Sequence, residues 1–444
     1  MKDKLRSLLN KLSKLALLPE YLKVTWQQFS RRLPPNDRNI VFTLDDPRLY
    51  RDDDGSGRYA YMILNLFSDG GYNVYLHKKI DFLTFTRMGK YGRFLYSIGN
   101  LKVVDHIPKN PQDLDYAFDS VYREMLDRPW KKLTYVNVLK APTCKLGRSM
   151  PIPYFFHPMM YKLKQLDRVE GLRESARKLR IIFGGNTLTY YTNPELHRYD
   201  QMTRIEGIMA ASEVGEKVRT IQDVSELYAI MNGQEYVNEC RLLRTDDRIQ
   251  VPLTHWLEIV AQCDFFLCLS GTDLPMCHNV IESMSVGTIP ILGYPDWFFP
   301  TLEHGKNAII YSGKKDLIRK LNEVLEMEES QIQALRKNVL AYYDAHLGTR
   351  NFIRKYEAQK SLNSIILHER LRANKYELEE GNRTLAQLMF YFGEGIEDAR
   401  SEEEKAYLRE LIAKWVPVEK PPSRSSRKGT RKSVDEYLRD RSRK

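Results

Sequence analysis

One order of elements stands out along the chain: an apolar strand, a polar loop, an amphipathic helix and a second strand. Residues 39–44 form an apolar run, residues 45–57 are polar and rich in turn formers, and apolar positions recur at helical spacing over 59–67. A glycine pair ends that helix before a second apolar run at 72–76. This order predicts a βαβ unit, the building block of a parallel sheet.

A second segment of the chain repeats this order. Residues 179–183 form an apolar run that ends in two glycines, and residues 253–261 have helical periodicity. Residues 265–269 are again apolar, and a polar loop separates them from a helix at 278–285 and a strand at 288–292. The sequence therefore predicts a second parallel sheet.

Further elements complete the predicted organisation. Strands are predicted at 101–104, 133–139 and 152–156, a charged helix at 162–178, and mainly helices after residue 314. The fold class is α/β, with two Rossmann-like domains and a C-terminal helical extension. The predicted segments are an amphipathic N-terminal helical segment at 1–35, a first Rossmann-like domain at 36–165, a second at 179–345, a helical extension at 346–416 and a basic disordered tail at 417–444.

The positive charge is concentrated at the two ends of the chain. The 444 residues carry a net charge of +11, yet residues 1–18 hold five Lys/Arg against one Asp, and residues 420–444 hold ten against three acidic residues. The body between them is electrically balanced. Because a domain that binds a nucleic-acid duplex presents a basic face on its folded part, no specific nucleic-acid partner is expected.

The N-terminal segment combines this charge with helical periodicity. Leu5, Leu8, Leu12 and Leu15 recur at helical spacing, and lysines fall between them. The segment is too short and too charged to span a bilayer. Two interpretations stay open: the helix lies on an anionic membrane surface, or it docks on its own domain with its lysines in water.

The cysteines disfavour both a disulfide framework and a metal site. The five cysteines have no paired short spacing, and Cys277-His278 has no second ligand pair at a suitable distance along the chain. We therefore assign no metal and expect a reducing, cytoplasmic environment, with the protein free or peripheral on the membrane.

The chemically informative segment is 264–290. Its apolar strand enters a loop of small polar residues, and a helix with an acidic residue one turn from its start follows. In an open α/β sheet, ligands bind beyond the carboxyl ends of the strands, where helix N-termini present N–H groups to phosphate oxygens. The candidate binding residues of this segment are Ser270, Gly271, Thr272, His278, Asn279 and Glu282.

Two parts of this second domain resemble GT-B glycosyltransferases, both the retaining group 1 type and exostosin-like enzymes. Residues 279–291, NVIESMSVGTIPI, are similar to the helix-glycine-strand signature in which a glutamate binds the nucleotide ribose, a role that falls on Glu282. Residues 181–186, IIFGGN, resemble the first strand and glycine turn of the family's C-terminal domain. The resemblance places three further residues beside the donor phosphates: Gly184, Gly185 and Asn186.

The first domain carries a weaker part of the same resemblance. Residues 54–57, DGSG, with the following helix and the glycine turn at 71–74, resemble the glycine loop of the family's N-terminal domain. The resemblance implies an enzyme that transfers a sugar from a nucleotide-sugar donor to a lipid-linked or polysaccharide acceptor in surface glycan biosynthesis. It requires no cofactor, because helix dipoles and basic side chains can offset the diphosphate charge. The candidate basic residues are Arg180, Arg204, Arg241 and Arg244.

The catalytic group is less well specified. Retaining group 1 enzymes carry an acid eight positions before the ribose glutamate, and here Leu274 occupies that position with Asp273 beside it. A one-residue loop shift makes Asp273 the acid of a retaining reaction. For an inverting reaction, Asp54 in the glycine loop and His157 after the strand at 152–156 are the candidate general bases. Retention and inversion both stay open.

Two alternatives compete with an enzyme. Because Leu274 replaces the expected acid, the chain can instead be a non-catalytic GT-B-like module that binds a glycan or a partner. The basic tail alone supports a third interpretation, nucleic-acid binding, which the neutral body disfavours.

Overall fold

The structure is a computed structural model, and it describes residues 14–51, 56–79, 81–108, 110–119, 128–138, 149–245, 249–359 and 364–367. These residues fall into two units. One runs to Met150 and includes Ile353–Ile366, and the other spans Pro151–Phe352.

The described chain alternates strands and helices along most of its length. The strands are β1 (Asn39–Thr43), β2 (Asn73–His77), β3 (Leu101–Val104), β4 (Asp115–Phe118), β5 (Lys132–Asn137), β6 (Ser149–Ile152), β7 (Leu179–Asn186), β8 (Val218–Thr220), β9 (Val237–Thr245), β10 (Cys263–Leu267), β11 (Ile289–Leu292), β12 (Ile309–Ile310) and β13 (Ser364–Leu367). The helices are α1 (Leu18–Ser30), α2 (Tyr59–Asp69), α3 (Phe82–Arg87), α4 (Lys90–Arg93), α5 (Pro158–Lys162), α6 (Val169–Leu172), α7 (Arg204–Ser212), α8 (Val224–Asn232), α9 (Leu253–Ala261), α10 (His278–Ser285), α11 (Gly313–Leu325), α12 (Glu329–Tyr342) and α13 (Thr349–Ala358).

The first sheet has the strand order β3-β2-β1-β4-β5-β13-β6. Strand β1 pairs in parallel with β2 and β4, and β2 with β3. Strand β1 is buried on both faces, because Ile40, Val41 and Phe42 are fully inaccessible to solvent. The predicted βαβ unit over residues 39–76 is confirmed.

The second sheet has the order β12-β11-β10-β7-β9-β8, and every pair of neighbours is parallel. After β7 the chain builds β8 and β9 on one side, and it then crosses to build β10, β11 and β12 on the other. The predicted pair of Rossmann-like parallel sheets is therefore confirmed. Beside β7, the side of the sheet on which successive strands are added changes, and such a switch point leaves a crevice at the carboxyl edge of the sheet.

Two predicted elements were wrong, and five strands of the described chain were missed. The strand expected at 152–156 ends at Ile152, because the next residue, Pro153, has no N–H to donate to a sheet. The single helix expected at 162–178 is broken at Lys164, which has a left-handed backbone (φ 53°), and only the short α6 follows. Strands β4, β8, β9 and β12 lie within stretches that the sequence pattern left unassigned, and β13 lies where mainly helices were expected.

The boundary between the units also differs from the predicted one. The first domain was expected to reach residue 165, yet Tyr154, Phe156 and Met160 are buried in the hydrophobic core of the second unit. The helical extension expected at 346–416 begins with α13, but Tyr356 of that helix packs on Phe67 in the first unit, with ring centroids 5.0 Å apart. Strand β13 then joins β5. The remainder of the extension and the tail at 417–444 lie outside the described residues.

Candidate functional site

The candidate site lies where β7 and β10 end, side by side, at the carboxyl edge of the second sheet. The loop after β10 and helix α10 complete it. In the sequence these parts are up to about a hundred residues apart, and parallel pairing of β7 with β10 brings them together. This is the position at which open α/β sheets bind their ligands.

The glycines at the end of β7 leave room for two large side chains. A Cβ atom on Gly184 would lie 2.4 Å from Cη2 of Trp256, and one on Gly185 would lie 3.2 Å from Nη1 of Arg204. The sequence predicted a glycine turn beside phosphates. In the structure, the first glycine admits the Trp256 indole, which the sequence pattern did not single out.

The loop after β10 folds tightly on itself. The N–H of Gly271 donates to the carbonyl of Pro275 at 3.0 Å, and a Cβ on Gly271 would lie 2.5 Å from the carbonyl oxygen of Leu274. Ser270 is buried and Thr272 half-buried. The carboxylate of Asp273 is exposed at the loop tip, where it accepts a hydrogen bond from the Asn193 amide at 3.0 Å.

Helix α10 begins directly after this loop. Its N-cap residue, Cys277, makes no side-chain cap bond to the helix. Because the helix starts from the loop that follows β10, the N–H groups of its first turn and the positive end of its dipole lie at the carboxyl edge of the sheet. Asn279 fixes the helix to β7 by donating to the carbonyl of Gly184 at 2.6 Å, and its Oδ1 lies 2.8 Å from Nδ1 of His278.

Glu282 is buried rather than solvent-facing, with 1% of its surface exposed. Its Oε1 accepts from the backbone N–H of His157 at 2.9 Å, and its Oε2 accepts from the Trp256 indole N–H at 2.7 Å. Burial raises the pKa of this carboxyl from 4.5 to about 7, against the opposing effect of the two hydrogen bonds. The nearest cationic candidate is His278, whose Nδ1 is 3.8 Å from Oε1.

His157 lies in the second unit, whereas the sequence placed it in the first domain. It caps α5, where its Nδ1 accepts from the N–H of Met159. Its ring meets the ring of His278 edge to face, with centroids 5.0 Å apart. The two histidines and Glu282 therefore form one cluster, while Asp54 lies outside the described residues.

Arg204, at the start of α7, is a buried cation. It is 3% exposed, although the sequence gave no reason to separate it from three other arginines. Its guanidinium donates to the carbonyls of Ser270 (3.1 Å) and Asn186 (2.9 Å), reaches the thiol of Cys277 at 3.8 Å and stacks on the ring of Tyr191. Within the described chain, these bonds go to neutral groups and none goes to a carboxylate.

Of the other predicted basic residues, Arg244 lies beside Gly185 in the pairing of β9 with β7, whereas Arg180 and Arg241 bind other partners. Arg180 donates to Asn238 and to the carbonyl of Met327, and Arg241 pairs with Glu239 at 2.6 Å. Among the residues that the structure describes, no group of three or more His, Cys, Asp or Glu side chains is placed so that it could hold a metal ion. In the same residues, no helix is long and apolar enough to cross a membrane.

Comparisons with known proteins give structural similarities only. No protein-family model matches the chain, and no curated protein matches its sequence. HepE from Anabaena, solved with UDP and glucose, is similar over 72% of this chain and 98% of its own, with 10% identity and a TM-score of 0.37. A glycosyltransferase from Rickettsia africae is similar over 73% and 97%, with 9% identity and a TM-score of 0.39.

A further similar structure is the N-terminal domain of trehalose-6-phosphate phosphatase from Candida albicans. The similarity covers 74% of this chain and 98% of that structure's chain, with 9% identity and a TM-score of 0.35. At TM-scores below 0.5, these are similarities of outline and not of site chemistry.

Proposed function

We propose that the protein is a glycosyltransferase that binds the diphosphate of a nucleotide-sugar donor at the carboxyl edge of its second sheet. One observation carries the proposal: the guanidinium of Arg204 is buried there, and in the described chain its hydrogen bonds reach no carboxylate. A buried charge without a counterion is costly, so the site is suited to an anionic ligand. The N-terminus of α10 adds a second positive potential at the same place.

The two positive features act on the same ligand in this proposal. Arg204 reaches Cys277, the N-cap of α10, so the guanidinium and the helix N-terminus are neighbours. When the bond between sugar and diphosphate breaks, negative charge develops on the leaving phosphate. Fixed donors that already point at that position stabilise it without rearrangement. This chemistry needs no metal, and we assign none.

Glu282 remains the proposed ribose ligand, but its burial changes the expectation. Both carboxylate oxygens already accept one protein donor each, and each oxygen retains a second lone pair for a ribose hydroxyl. Since Glu282 also holds Trp256 and the His157 backbone, we now expect its replacement to affect folding as well as nucleotide affinity.

The acceptor hydroxyl needs a group to take its proton, and three candidates remain. His157 lies beside Glu282, Asp273 is exposed at the loop after β10, and Asp54 belongs to the glycine loop outside the described residues. The stereochemistry of transfer distinguishes them: retention favours Asp273, and inversion favours His157 or Asp54. We propose a lipid-linked or polysaccharide acceptor in surface glycan synthesis, reached from the cytoplasm.

A second candidate function is a GT-B-like module that binds its ligand without turnover. Leu274 occupies the position of the expected acid, and it packs against the core of the second unit. Nucleotide binding without hydrolysis or transfer, over a panel of donors and acceptors, would favour this module over the enzyme.

The proposed diphosphate site is tested by replacing Arg204 and measuring binding by calorimetry. Arg204→Met should weaken binding of nucleoside diphosphates about tenfold to a hundredfold, because a charge-assisted bond contributes about 1.5–3 kcal/mol. Binding of the matching nucleosides, which have no phosphate, should not change. Arg350→Met is a matched control, since Arg350 is 91% exposed in its side chain and distant in sequence from the site.

The ratio of diphosphate to nucleoside affinity is the decisive quantity, because it is insensitive to a general loss of folded protein. Arg204→Lys, which keeps the charge but not the planar fork, should fall between the wild type and Arg204→Met. An unchanged ratio in Arg204→Met would show that the phosphates bind elsewhere.

A further inference from the structure

Helix α1 presents a row of large apolar side chains to solvent. Leu18, Leu22, Trp26 and Phe29 are 38%, 57%, 69% and 80% exposed, and Leu15, one turn earlier, is 55% exposed. At 3.6 residues per turn, the four helix residues lie within an arc of about 80°. They form a single outer face, which continues the periodicity predicted for the first eighteen residues; residues 1–13 lie outside the described chain.

The opposite face of α1 is anchored to the first unit. The ring of Tyr21 packs on Phe82 and Phe85 of α3, with centroids 5.4 and 5.5 Å apart. The buried side chain of Gln28 accepts a hydrogen bond from the backbone N–H of Val103 at 2.9 Å. These contacts fix the rotation of the helix about its axis, so the apolar row faces away from its own unit.

Single exposed apolar residues are normal on soluble proteins, but a contiguous row on one helix marks a surface that binds something apolar. The rings of Trp26 and Phe29 lie next to each other, with centroids 6.3 Å apart. Leucine, tryptophan and phenylalanine on one face are the composition of helices that lie in the membrane interface.

The charge around this row identifies its partner. Residues 1–32 contain eight Lys/Arg and two acidic residues. Lys23 is exposed and lies roughly 100° from the centre of the apolar row on the helical wheel, where its stem can reach headgroups while the row is buried. A second copy of the chain would bring two such basic segments together, at a Coulombic cost that an anionic surface avoids.

We propose that the outer face of α1 is a docking surface for an anionic lipid bilayer. The helix lies parallel to the membrane, with Trp26 and Phe29 between the headgroups and the first acyl carbons. Lys23, which is exposed at the side of the row, contacts lipid phosphates. This inference rests on α1 alone and does not depend on the proposed donor chemistry.

Trp26 itself reports on the contact. The other tryptophans of the described chain, Trp130, Trp256 and Trp297, are buried, and Trp415 lies outside it. In the full chain with Trp415→Phe, phosphatidylglycerol-containing vesicles should shift the tryptophan fluorescence emission to shorter wavelength. They should also protect the fluorescence of Trp26 from quenching by acrylamide. Pure phosphatidylcholine vesicles should give a smaller effect, and salt should weaken the shift. Emission that anionic vesicles leave unchanged would overturn the proposal.

A variant pair separates docking from folding and from nucleotide binding. Leu22→Ser with Phe29→Ser should lower the fraction that sediments with anionic vesicles about tenfold, because two inserted side chains are lost. Met209→Ser, which replaces a 63% exposed side chain on α7, is the matched control and should sediment like the wild type. Both proteins should keep the wild-type melting temperature and nucleoside diphosphate affinity.

Two outcomes would reject this lipid surface. One is vesicle binding by the double variant equal to that of the wild type. The other is a wild-type protein that does not bind vesicles but self-associates in sedimentation velocity, while the double variant stays monomeric. In that case a second copy of the chain would occupy this face.

Discussion

The carboxyl edges of the two sheets hold their charged side chains in different ways. At the first edge, the Asp119 carboxylate accepts from the backbone N–H groups of Asp45 and Asp46 at 2.8 and 2.9 Å. The Lys78 ammonium lies 3.8 Å from the Asp45 carboxylate and donates to the carbonyl of Leu44. At the second edge, Arg204 and Glu282 are both buried, and neither forms an ion pair with an oppositely charged Asp, Glu, Lys or Arg of the described chain.

This difference separates an edge that closes its own loops from an edge suited to a charged ligand. In the first, backbone N–H groups bind the Asp119 carboxylate, Lys78 lies beside Asp45, and these contacts fix the chain after β1. In the second, neutral groups hold a buried cation in place, so its charge is left for a partner to balance. The difference supports the donor site proposed at the second sheet, and the following changes test it from the largest expected effect to the smallest.

Gly184→Ala should be the most damaging small change at the second edge. The added methyl would lie 2.4 Å from the Trp256 ring, which its bond to Glu282 holds in place, so we expect a loss of about 3 kcal/mol in the free energy of unfolding. Chemical denaturation measures this loss. Gly171→Ala is the control, because an added Cβ there meets nothing within 4 Å. Equal stability of the two variants would contradict the packing described for Trp256.

Glu282→Gln should remove a pH dependence of stability. Burial raises the pKa of Glu282 from 4.5 to about 7, so between these values the folded chain holds a proton that the unfolded chain has released. The free energy of unfolding of the wild type should therefore fall as the pH rises through this window, by at most about 3 kcal/mol, and level off above pH 7.

Denaturation of both proteins from pH 4.5 to 8 measures this dependence. The difference in the free energy of unfolding between the wild type and Glu282→Gln should change with pH over this range. Glu235→Gln, at an exposed position, should match the wild type at every pH. Parallel curves for the wild type and Glu282→Gln would mean that Glu282 does not titrate in this range.

Trp256→Phe should keep most of the ring packing and remove one donor to Glu282. A hydrogen bond to a charged acceptor contributes about 2 kcal/mol, so the variant should lose about that much stability at pH 8. At pH 5 the carboxyl is protonated and the loss should be smaller. Equal losses at both pH values would show that the indole contributes packing alone.

Asp119→Asn tests the first edge and should have the smallest effect. The new side chain keeps one of the two oxygens that accept the backbone N–H groups of Asp45 and Asp46, so a stability loss of about 1 kcal/mol is expected. Nucleoside diphosphate affinity, measured by calorimetry, should not change, because the proposed donor site lies at the other sheet. A loss of nucleotide binding in this variant, with folding intact, would move the donor site to the first sheet.

Local patterns were enough to predict the elements of both sheets that have a clear period. Helices α9 and α10 have the predicted bounds, because the apolar residues at helical spacing and the polar residues that flank them are neighbours in the sequence. Strand β13 could not be predicted in the same way. Its four residues become a strand only by pairing with β5, more than two hundred residues earlier in the chain.

The site shows the same division. The glycines of β7 and the helix that carries Glu282 follow from a local signature, but the partners of Glu282 do not. Trp256 comes from a different helix and His157 from a segment that was expected in the other domain. Nothing in the sequence near Arg204 distinguishes its buried guanidinium from that of a surface arginine, because its burial depends on the carbonyls of Asn186 and Ser270.

The order of strands in the first sheet has a consequence for biosynthesis. Strand β13 stands between β5 and β6, and residues 153–352 separate it from them along the chain. A nascent chain that has emerged from the ribosome as far as residue 352 contains every strand of the second sheet but still lacks an internal strand of the first. The unit that is translated first is therefore completed last, the reverse of the usual vectorial order of domain folding during translation.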